Sequence, residues 1–382
     1  MKAFFDASDV RIEEFEQLCS QAVSLSDYPH AAGIESNVLI YESAALRALI
    51  GEEEAERALL SELNKCLRSG PGVLVIRSMY NDHSVIDAST KLFKDIVREE
   101  REQGFGLGDH FGNNERIWNS FQKVCIKDPK TFVAYYGNPL LGLVATAWLG
   151  PFYQITAQVN NVKPGSKAQS PHRDYHLGFQ ASDDVIRFPA PIQIMSQYLT
   201  LQGAIAHTNM PLESGPTLLL PFSQQYPPGY IAYVHPEFVD YFNANCVQLP
   251  LQKGDGLFFS PALFHGAGTN HSTSDRLANL LQVSSAFGRP MESIDTQCMI
   301  NAVYPVILDM KREKGIKDRF LNDILAAIAD GYSFPTNLDT DPPKGGYAPI
   351  PEKQLVLRAI EDLWPPEKLR DALKDYAGRR RA

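Results

Sequence analysis

Between Phe152 and Ser284, glycine and proline break the chain into short apolar runs, and this pattern limits the possible folds most strongly. The predicted strands cover residues 153–160, a strand pair over 192–205, short buried runs at 217–220 and 257–259, and a last strand at 277–284. Many short strands separated by turns are typical of a jelly roll. We therefore expect a barrel of this kind, similar to a cupin, at the core.

Helical periodicity flanks this strand-rich stretch on both sides. The predicted helices cover much of residues 13–70, then 84–101, 128–148, 318–329 and 353–363, with one buried strand at 72–76. The expected fold is α+β, a double-stranded β-helix core with flanking N- and C-terminal helices. We expect one elaborated domain over residues 1–382, made of a mainly helical part (1–150), the jelly-roll core with the site (151–290) and a helical extension (291–382).

Composition and charge exclude several classes of protein. The net charge of -9 gives no basic footprint for nucleic acid or an anionic membrane, and Arg379–Arg381 is expected to be a solvated tail. The longest apolar run is too short to span a bilayer, and no signal region opens the chain, so we expect a cytoplasmic protein. Five scattered cysteines argue against a disulfide framework or a zinc cluster.

Two short blocks carry the candidate chemistry. In the first, His172 and Asp174 lie two residues apart, so in a strand both would point to the same side. In the second, His265 follows a Gly-Asp-Gly turn and the buried run 257–259. Two imidazoles and one carboxylate match the facial triad that holds Fe(II) and leaves positions open for a co-substrate and O2.

The His-x-acid pattern is weak by itself, since roughly one match is expected by chance in a chain with this many histidines and acids. A second match, His235-Pro236-Glu237, precedes an apolar run. This pattern indicates a helix with proline in its first turn. We therefore discard it as a pair of metal ligands. The surrounding turns and strands distinguish His172 and Asp174.

Arg276 lies eleven residues after His265, beyond a predicted turn over residues 266–274 and on the strand that follows. The planar guanidinium matches a carboxylate, so this arginine could bind the distal carboxylate of a dicarboxylate co-substrate such as 2-oxoglutarate. The alternatives are a salt bridge to Asp275 or a cap on the hairpin.

Four blocks follow one another over roughly residues 120–290: Val162–Gly165, His172–His176, Glu213–Pro221 and Lys253–Arg276. In this order they resemble the phytanoyl-CoA dioxygenase family. The resemblance implies a double-stranded β-helix, Fe(II) held by His172, Asp174 and His265, and 2-oxoglutarate held by Arg276. Lys123 resembles a family lysine that also contacts the co-substrate, and Lys163 is a further candidate. Ala267 departs from relatives that carry a hydroxyl at this position, and we assign no aromatic residue beside the oxoglutarate.

For the other histidines and the glycine-rich segment discussed next, we expect roles other than metal binding. We expect His176 to contact a metal ligand or the substrate rather than the metal itself. A fourth protein ligand would occupy a position that the co-substrate and O2 need. His207 and His271 are expected to be structural or exposed. The glycine-rich residues 104–112 do not form a tight strand-to-helix turn, so we expect a loop that acts as a lid rather than a phosphate site.

These observations predict a non-haem Fe(II)- and 2-oxoglutarate-dependent dioxygenase that uses O2 to hydroxylate, or otherwise oxidise, a small-molecule metabolite with release of succinate and CO2. The resemblance also implies oxygen transfer rather than halogenation, since halogenating relatives replace the carboxylate found here at Asp174. Two alternatives stay open: a cupin-like metalloenzyme of another class, holding zinc or manganese, and a non-catalytic metal-binding jelly-roll protein. No nucleic-acid or membrane partner is expected.

Overall fold

The computed structural model of this protein describes residues 2–104, 108–109, 112–313 and 315–381. Its strands in these residues are β1 (Gly33–Glu35), β2 (Val38–Glu42), β3 (Val73–Arg77), β4 (Gly108–Asp109), β5 (Gly112–Ile117), β6 (Gln154–Val162), β7 (Thr200–Ala206), β8 (Leu218–Leu219), β9 (Gly256–Phe259), β10 (His265–Gly266) and β11 (Arg276–Ser284).

The helices of the same described residues are α1 (Ile12–Cys19), α2 (Ser43–Leu49), α3 (Glu53–Ser69), α4 (His83–Glu102), α5 (Ser120–Lys127), α6 (Pro129–Tyr136), α7 (Pro139–Leu149), α8 (Ser182–Val185), α9 (Ala190–Ser196), α10 (Gly229–Ala232), α11 (Pro236–Asn245), α12 (Thr296–Glu313), α13 (Asp318–Ile328), α14 (Glu352–Glu361) and α15 (Pro366–Arg379).

The described strands form one large mixed sheet in the order β1-β2-β3-β9-β7-β11-β6-β5-β4 and a small pair, β8 with β10. The large sheet is antiparallel except where β2 pairs with β3. The fold is therefore mixed α+β, as expected. At its centre β11 pairs with both β6 and β7 over long registers, so the inner-facing residues of these three strands form one continuous wall.

Side chains alternate between the two faces of the central strands. On β6, Gln158, Asn160 and Val162 line a cavity on one face, while Val159 and Asn161 line a separate cavity of about 490 Å³ on the other. The second face also packs against helices: Ser120 of α5 donates to the Ala157 carbonyl at 2.8 Å. The sheet thus separates a helix-covered side from the side that carries the candidate site.

Hydrophobic burial ties both ends of the chain to this sheet. One cluster of buried side chains includes Tyr28 near the N-terminal end, Val283 on β11 and Leu373 on α15. Burial of apolar surface is the main stabilising contribution in such a cluster. The N- and C-terminal helices therefore pack on the same core as the central strands.

Several sequence-based expectations were wrong, each for a local reason. Within the predicted helical region 13–70, β1 and β2 form a hairpin, because Ser36 and Asn37 both have positive φ, as a tight hairpin turn requires. Residues 192–196 belong to helix α9 rather than a strand, since Pro191 lies in its first turn. The predicted helix 128–148 is two helices, because Gly137 ends α6 and Pro139 starts α7.

The C-terminal part also differs from expectation. Helices α12 and α15 were not predicted, and of the three arginines expected to form a solvated tail only Arg381 is exposed. Arg379 Nε lies 3.2 Å from Asp341 Oδ1, and Arg380, whose side chain is 14% exposed, lies 3.5 Å from Asp341 Oδ2. These ion pairs hold the end of α15 against the proline-rich segment, where Asp341 is buried.

Three further features bear on the sequence-based expectations. All five cysteines are free. Among the described residues, no single helix is both long and apolar enough to span a membrane; only the bent pair α6 and α7, which meet at 59°, satisfies this test together, on length and composition alone. The expected lid, 104–112, falls largely outside the described residues, which include Gly104, Gly108, Asp109 and Gly112.

Candidate metal centre

Three side chains from two separate stretches of the sequence meet on the inner side of the sheet. One ligand atom from each of His172, Asp174 and His265 lies within 4.8 Å of the other two. Asp174 Oδ2 is 3.4 Å from His265 Nε2 and 3.9 Å from His172 Nε2. The sequence-based prediction that these three side chains converge agrees with this geometry.

The backbone sets this arrangement. The His172 N–H donates to the His265 carbonyl at 3.0 Å, and the His265 N–H donates back to the His172 carbonyl at 3.2 Å. The Asp174 N–H donates to the Pro261 carbonyl at 2.9 Å. The first block is therefore an extended segment joined by one isolated bridge to β10, rather than the regular strand that we predicted, and His172 and Asp174 still face the same side.

Each imidazole has a fixed tautomer. His172 Nδ1 lies 3.0 Å from the Ser170 carbonyl, and His265 Nδ1 lies 2.8 Å from the Leu263 carbonyl. Because a carbonyl oxygen can only accept, both Nδ1 atoms carry the proton and donate it. Each Nε2 atom is left with a lone pair directed at the centre, which is the arrangement that metal-binding histidines use.

Electrostatics favour the protonation states that a cation needs. Burial, and then the neighbouring His265, lower the pKa of His172, so its imidazole is neutral at physiological pH. Burial alone would raise the pKa of Asp174, but the adjacent imidazoles of His265 and His172, 3.4 and 3.9 Å from Oδ2, and the hydrogen bond from Gln202 hold it below its usual value. The centre therefore offers one carboxylate and neutral imidazole nitrogen.

Gln202 on β7 orients the carboxylate. Its Nε2 donates to Asp174 Oδ2 at 2.7 Å and lies 3.4 Å from the Tyr175 hydroxyl. A hydrogen bond to a ligand carboxylate fixes the direction of its lone pairs. This contact was not predicted, and the sequence signal for it was the inward position of Gln202 on an otherwise apolar strand.

Arg173 points away from the centre and is buried. One of its nitrogens donates to the Ser223 carbonyl at 2.7 Å and to the Tyr226 carbonyl at 3.0 Å, and the guanidinium lies 5.2 Å from the centre of the Tyr230 ring. Burial lowers the pKa of Arg173 to about 10, which leaves it charged at neutral pH. The residue between the two ligands therefore holds the segment from its reverse side.

A cavity of about 920 Å³ surrounds the centre and is lined by all three converging residues and by Arg276. Arg276 begins β11 and is buried at 6% exposure. Its guanidinium donates to the Ser214 carbonyl at 3.3 Å, and none of the described carboxylates forms an ion pair with it. Asp275 contacts Lys163 instead, at 2.7 Å. Arg276 is thus a buried cation that faces the cavity and has no counter-ion within the described part of the chain.

Burial lowers the pKa of Arg276 to about 10, so the guanidinium is still protonated at neutral pH. A buried charge is costly unless it is paired. An anionic ligand in the cavity would supply that pairing, and a carboxylate has the matching shape.

The structure does not bring Lys123 and Lys163 to this cavity. Lys123, on α5, forms an ion pair with Glu100. Lys163 lies 2.8 Å from Glu115 and 2.7 Å from Asp275, and it lines the cavity on the opposite face of the sheet. Both amines have carboxylate partners elsewhere, because α5 and the end of β6 present them to that other face.

The remaining histidines occupy other positions. His176 Nε2 lies 3.3 Å from the Thr200 hydroxyl and is not among the residues that line the cavity. His207 is buried, with Nδ1 2.8 Å from the Thr90 hydroxyl and Nε2 2.8 Å from the Tyr135 hydroxyl. His271 is exposed. His235 and Glu237 lie at the start of α11, which begins with Pro236 as predicted.

The fold thus brings a His-Asp-His cluster that could hold a metal ion and a buried arginine together in one cavity. The family model of phytanoyl-CoA dioxygenase (PhyH) matches residues 69–278. This match covers more than half of the chain, and the chain belongs to the phytanoyl-CoA dioxygenase family, as its motif order predicted.

Two curated relatives are dioxygenases by name. "Dioxygenase cdmD" of Talaromyces verruculosus is 30% identical over 144 residues, covering 38% of this chain and 43% of the relative. "Dioxygenase olcK" of Penicillium canescens is 27% identical over 184 residues, covering 48% and 54%. The chain thus spans about half the length of the curated relatives that it matches.

Solved structures show more distant likeness. The non-haem α-ketoglutarate-dependent epimerase SnoN from nogalamycin biosynthesis is 16% identical, with a TM-score of 0.44, over 60% of this chain and 82% of SnoN. The carbocyclase SnoK from the same biosynthesis is 17% identical, with a TM-score of 0.43, over 60% of this chain and 86% of SnoK.

Proposed function

We propose that this protein is a non-haem Fe(II)- and 2-oxoglutarate-dependent dioxygenase that oxidises a small-molecule metabolite. The observation that carries the proposal is the convergence of His172, Asp174 and His265 within 4.8 Å in a cavity that Arg276 also lines. Family membership supports the same reaction class.

The donor set fits Fe(II). Two imidazole nitrogens and one carboxylate are the facial triad of non-haem iron oxygenases, and three protein ligands leave positions for a co-substrate and O2. When bound, Fe(II) with 2-oxoglutarate and O2 supplies the oxidising chemistry, in which 2-oxoglutarate becomes succinate and CO2 and oxygen is delivered to the substrate.

The protein's own residues position and insulate this chemistry. The carbonyls of Ser170 and Leu263 fix the imidazole tautomers, and Gln202 fixes the carboxylate. Arg276 would bind the distal carboxylate of 2-oxoglutarate through charge-assisted hydrogen bonds in a setting largely shielded from water. The intact Asp174 favours oxygen transfer, because the ligand position that a halide would take is filled.

We also infer that the core is a double-stranded β-helix within one domain over residues 1–382. The β8–β10 pair carries His265 and stands across the cavity from the central strands β6, β11 and β7. Buried side chains of both terminal regions join one cluster with this sheet, which supports a single folding unit.

The test is an anaerobic titration of the apoprotein with Fe(II) and then 2-oxoglutarate, following the visible charge-transfer band of the chelate. We expect the band in the wild type and an apparent affinity for 2-oxoglutarate about 10- to 100-fold weaker in Arg276→Ala, since hydrogen bonds to a charged group are lost. Arg187→Ala is the matched control, because Arg187 is 78% exposed and pairs only with Asp184 among the described residues.

If the band does not form at full iron loading, the proposed function fails. Metal analysis and turnover assays then separate the alternatives: a cupin-like metalloenzyme with zinc or manganese, or a non-catalytic metal-binding protein. Succinate release in a screen of small molecules would follow a positive result.

A further inference from the structure

Amide side chains form an unusual wall on the inner face of the central strands. Asn160 on β6, Gln202 on β7 and Gln282 on β11 all line the main cavity and are 8%, 7% and 4% exposed. Gln282 lies directly opposite Gln202 in the register of β11 and β7. The central wall of this cavity is thus polar, whereas most buried positions in proteins carry apolar side chains.

The hydrogen-bonding capacity of these amides is only partly used. Asn160 Oδ1, Gln202 Oε1 and Gln282 Oε1 have no hydrogen-bond partner among the described residues. Gln158, on the same face of β6, differs: its Oε1 accepts from Arg116 at 3.1 Å and its Nε2 lies 3.3 Å from Glu292 Oε1. Buried polar groups are normally paired, so three unpaired amide oxygens on residues that line one cavity point to a ligand.

Two of these amides, Gln202 and Gln282, lie at the other end of β11 from Arg276, whereas Asn160 lies opposite Ala278, two residues from Arg276. Arg276 begins the strand and Gln282 lies six residues further, on the same face, about 20 Å along the strand at 3.4 Å per residue. Gln282 is instead close to the metal centre, since its partner Gln202 contacts Asp174. An anion bound by Arg276 would therefore leave Gln202 and Gln282 to a second molecule.

The mouth of the same cavity is apolar. Phe179, Val234 and Met291 line it and are 58%, 52% and 38% exposed. Exposed apolar side chains that surround a pocket with a few converging polar groups are typical of a small-molecule site. The apolar part of a ligand would rest on these side chains while its polar end meets the amides.

Resting on the proposed function, we propose that the primary substrate has an apolar framework and carries neutral hydroxyl or carbonyl oxygens, which the amides of Gln202 and Gln282 bind beside the metal centre, with Asn160 further along the same face. A neutral amide offers both a donor and an acceptor, so it pairs with such groups without any charge. A site built to hydrogen-bond a substrate oxygen rejects the analogue that lacks it, because its buried polar groups are then left unpaired.

The test compares two probes that differ by one hydroxyl, 1-decalol and decalin. Binding to the full chain with Zn(II) in place of Fe(II) and with 2-oxoglutarate is measured by saturation-transfer NMR titration of the probe. We expect 1-decalol to bind at least about tenfold more tightly than decalin to the wild type. In Gln282→Met, which keeps side-chain volume and removes the amide, this preference should fall to about twofold or less.

Gln17→Met, an exposed position on α1, is the matched control and should keep the wild-type preference. Equal binding of the two probes by the wild type, including no detectable binding of either, overturns the inference, as does an unchanged preference in Gln282→Met. Zn(II) does not activate O2, so this readout is independent of catalysis. A preserved preference without an Fe(II)–oxoglutarate band would overturn the proposed function alone.

Discussion

His172 and His265 are backbone partners, each donating its N–H to the carbonyl of the other, at 3.0 and 3.2 Å. Their rings lie 4.4 Å apart, centre to centre, and each ring donates Nδ1–H to a carbonyl of its own chain segment. Two of the three candidate ligands are therefore fixed by the main chain. A site built in this way is pre-organised, so binding of the metal requires little rearrangement.

Removing the carboxylate should abolish metal binding and oxidation. We expect Asp174→Ala to weaken Fe(II) affinity, measured by titration calorimetry, about 100-fold or more and to eliminate succinate release. Two imidazoles alone hold a hard cation poorly. Glu237→Ala, which removes the acid of the other His-x-acid match, is the control and should behave like the wild type. Full activity in Asp174→Ala would contradict the assignment of this ligand.

Gln202→Leu tests the residue that orients the carboxylate. It removes the 2.7 Å hydrogen bond to Asp174 Oδ2, and loss of such a partner behind a metal ligand costs about 10- to 100-fold in metal affinity or activity. The measurement is Fe(II) affinity of the folded variant, with circular dichroism to confirm the fold. An affinity within twofold of wild type would mean that the contact does not position the ligand.

Gly229→Ala should destabilise the protein by about 1–3 kcal/mol in urea unfolding, the usual range for overpacking a core. A Cβ at residue 229 would lie 1.9 Å from Arg173 Cζ, so the guanidinium would have to leave its site. Gly378→Ala is the control: it lies in α15 with nothing within 4 Å of the added Cβ, and it should stabilise by about 0.5–1 kcal/mol. Equal effects of the two substitutions would argue against this packing.

The free energy of unfolding should depend on pH in a way that reflects the titration of His207. Burial, and then Lys253, lower the pKa of His207 to about 3, whereas an unfolded histidine titrates near 6.5. Between these values the unfolded chain binds a proton that the native state does not. The contribution of neutral His207 is therefore complete above pH 6.5 and declines as the pH falls towards 3, by about 1.4 kcal/mol per pH unit.

Urea unfolding of the wild type and His207→Gln at several pH values measures this contribution. Glutamine still offers hydrogen-bonding groups to Thr90 and Tyr135, but it does not titrate. We expect the stability difference between the two proteins to shift in favour of the variant as the pH falls below 6.5. A difference that stays constant from pH 7 to pH 4 would show that His207 titrates normally.

Local patterns in the sequence were sufficient for the parts of the site that depend on order along the chain. Spacing predicted that His172 and Asp174 face one side, and the turn after His265 predicted Arg276 at the start of a strand. The family match over residues 69–278 confirms the motif order. These features could be predicted because each depends only on a few neighbouring residues.

Features that depend on strand pairing were not accessible in the same way. Gln202 contacts Asp174 because β7 joins β11 and β9, and no pattern near residue 202 indicates that pairing. Lys163 was expected near the co-substrate, but β6 presents it to the opposite face, where Glu115 and Asp275 bind it. A shift of one residue in such a strand exchanges its two faces, so side assignments require the register.

The packing of Gly229 against Arg173 limits how this metal-binding segment could be transplanted. A designer who copies His172, Asp174 and their flanking residues into another protein would also have to copy a glycine on a separate short helix, α10, and the two carbonyls that accept hydrogen bonds from the guanidinium. The middle position of the motif, which looks freely variable in a pattern search, is thus coupled to a residue more than fifty positions away. In a graft that lacks this glycine, we expect Arg173 to be displaced and His172 and Asp174 to be misaligned.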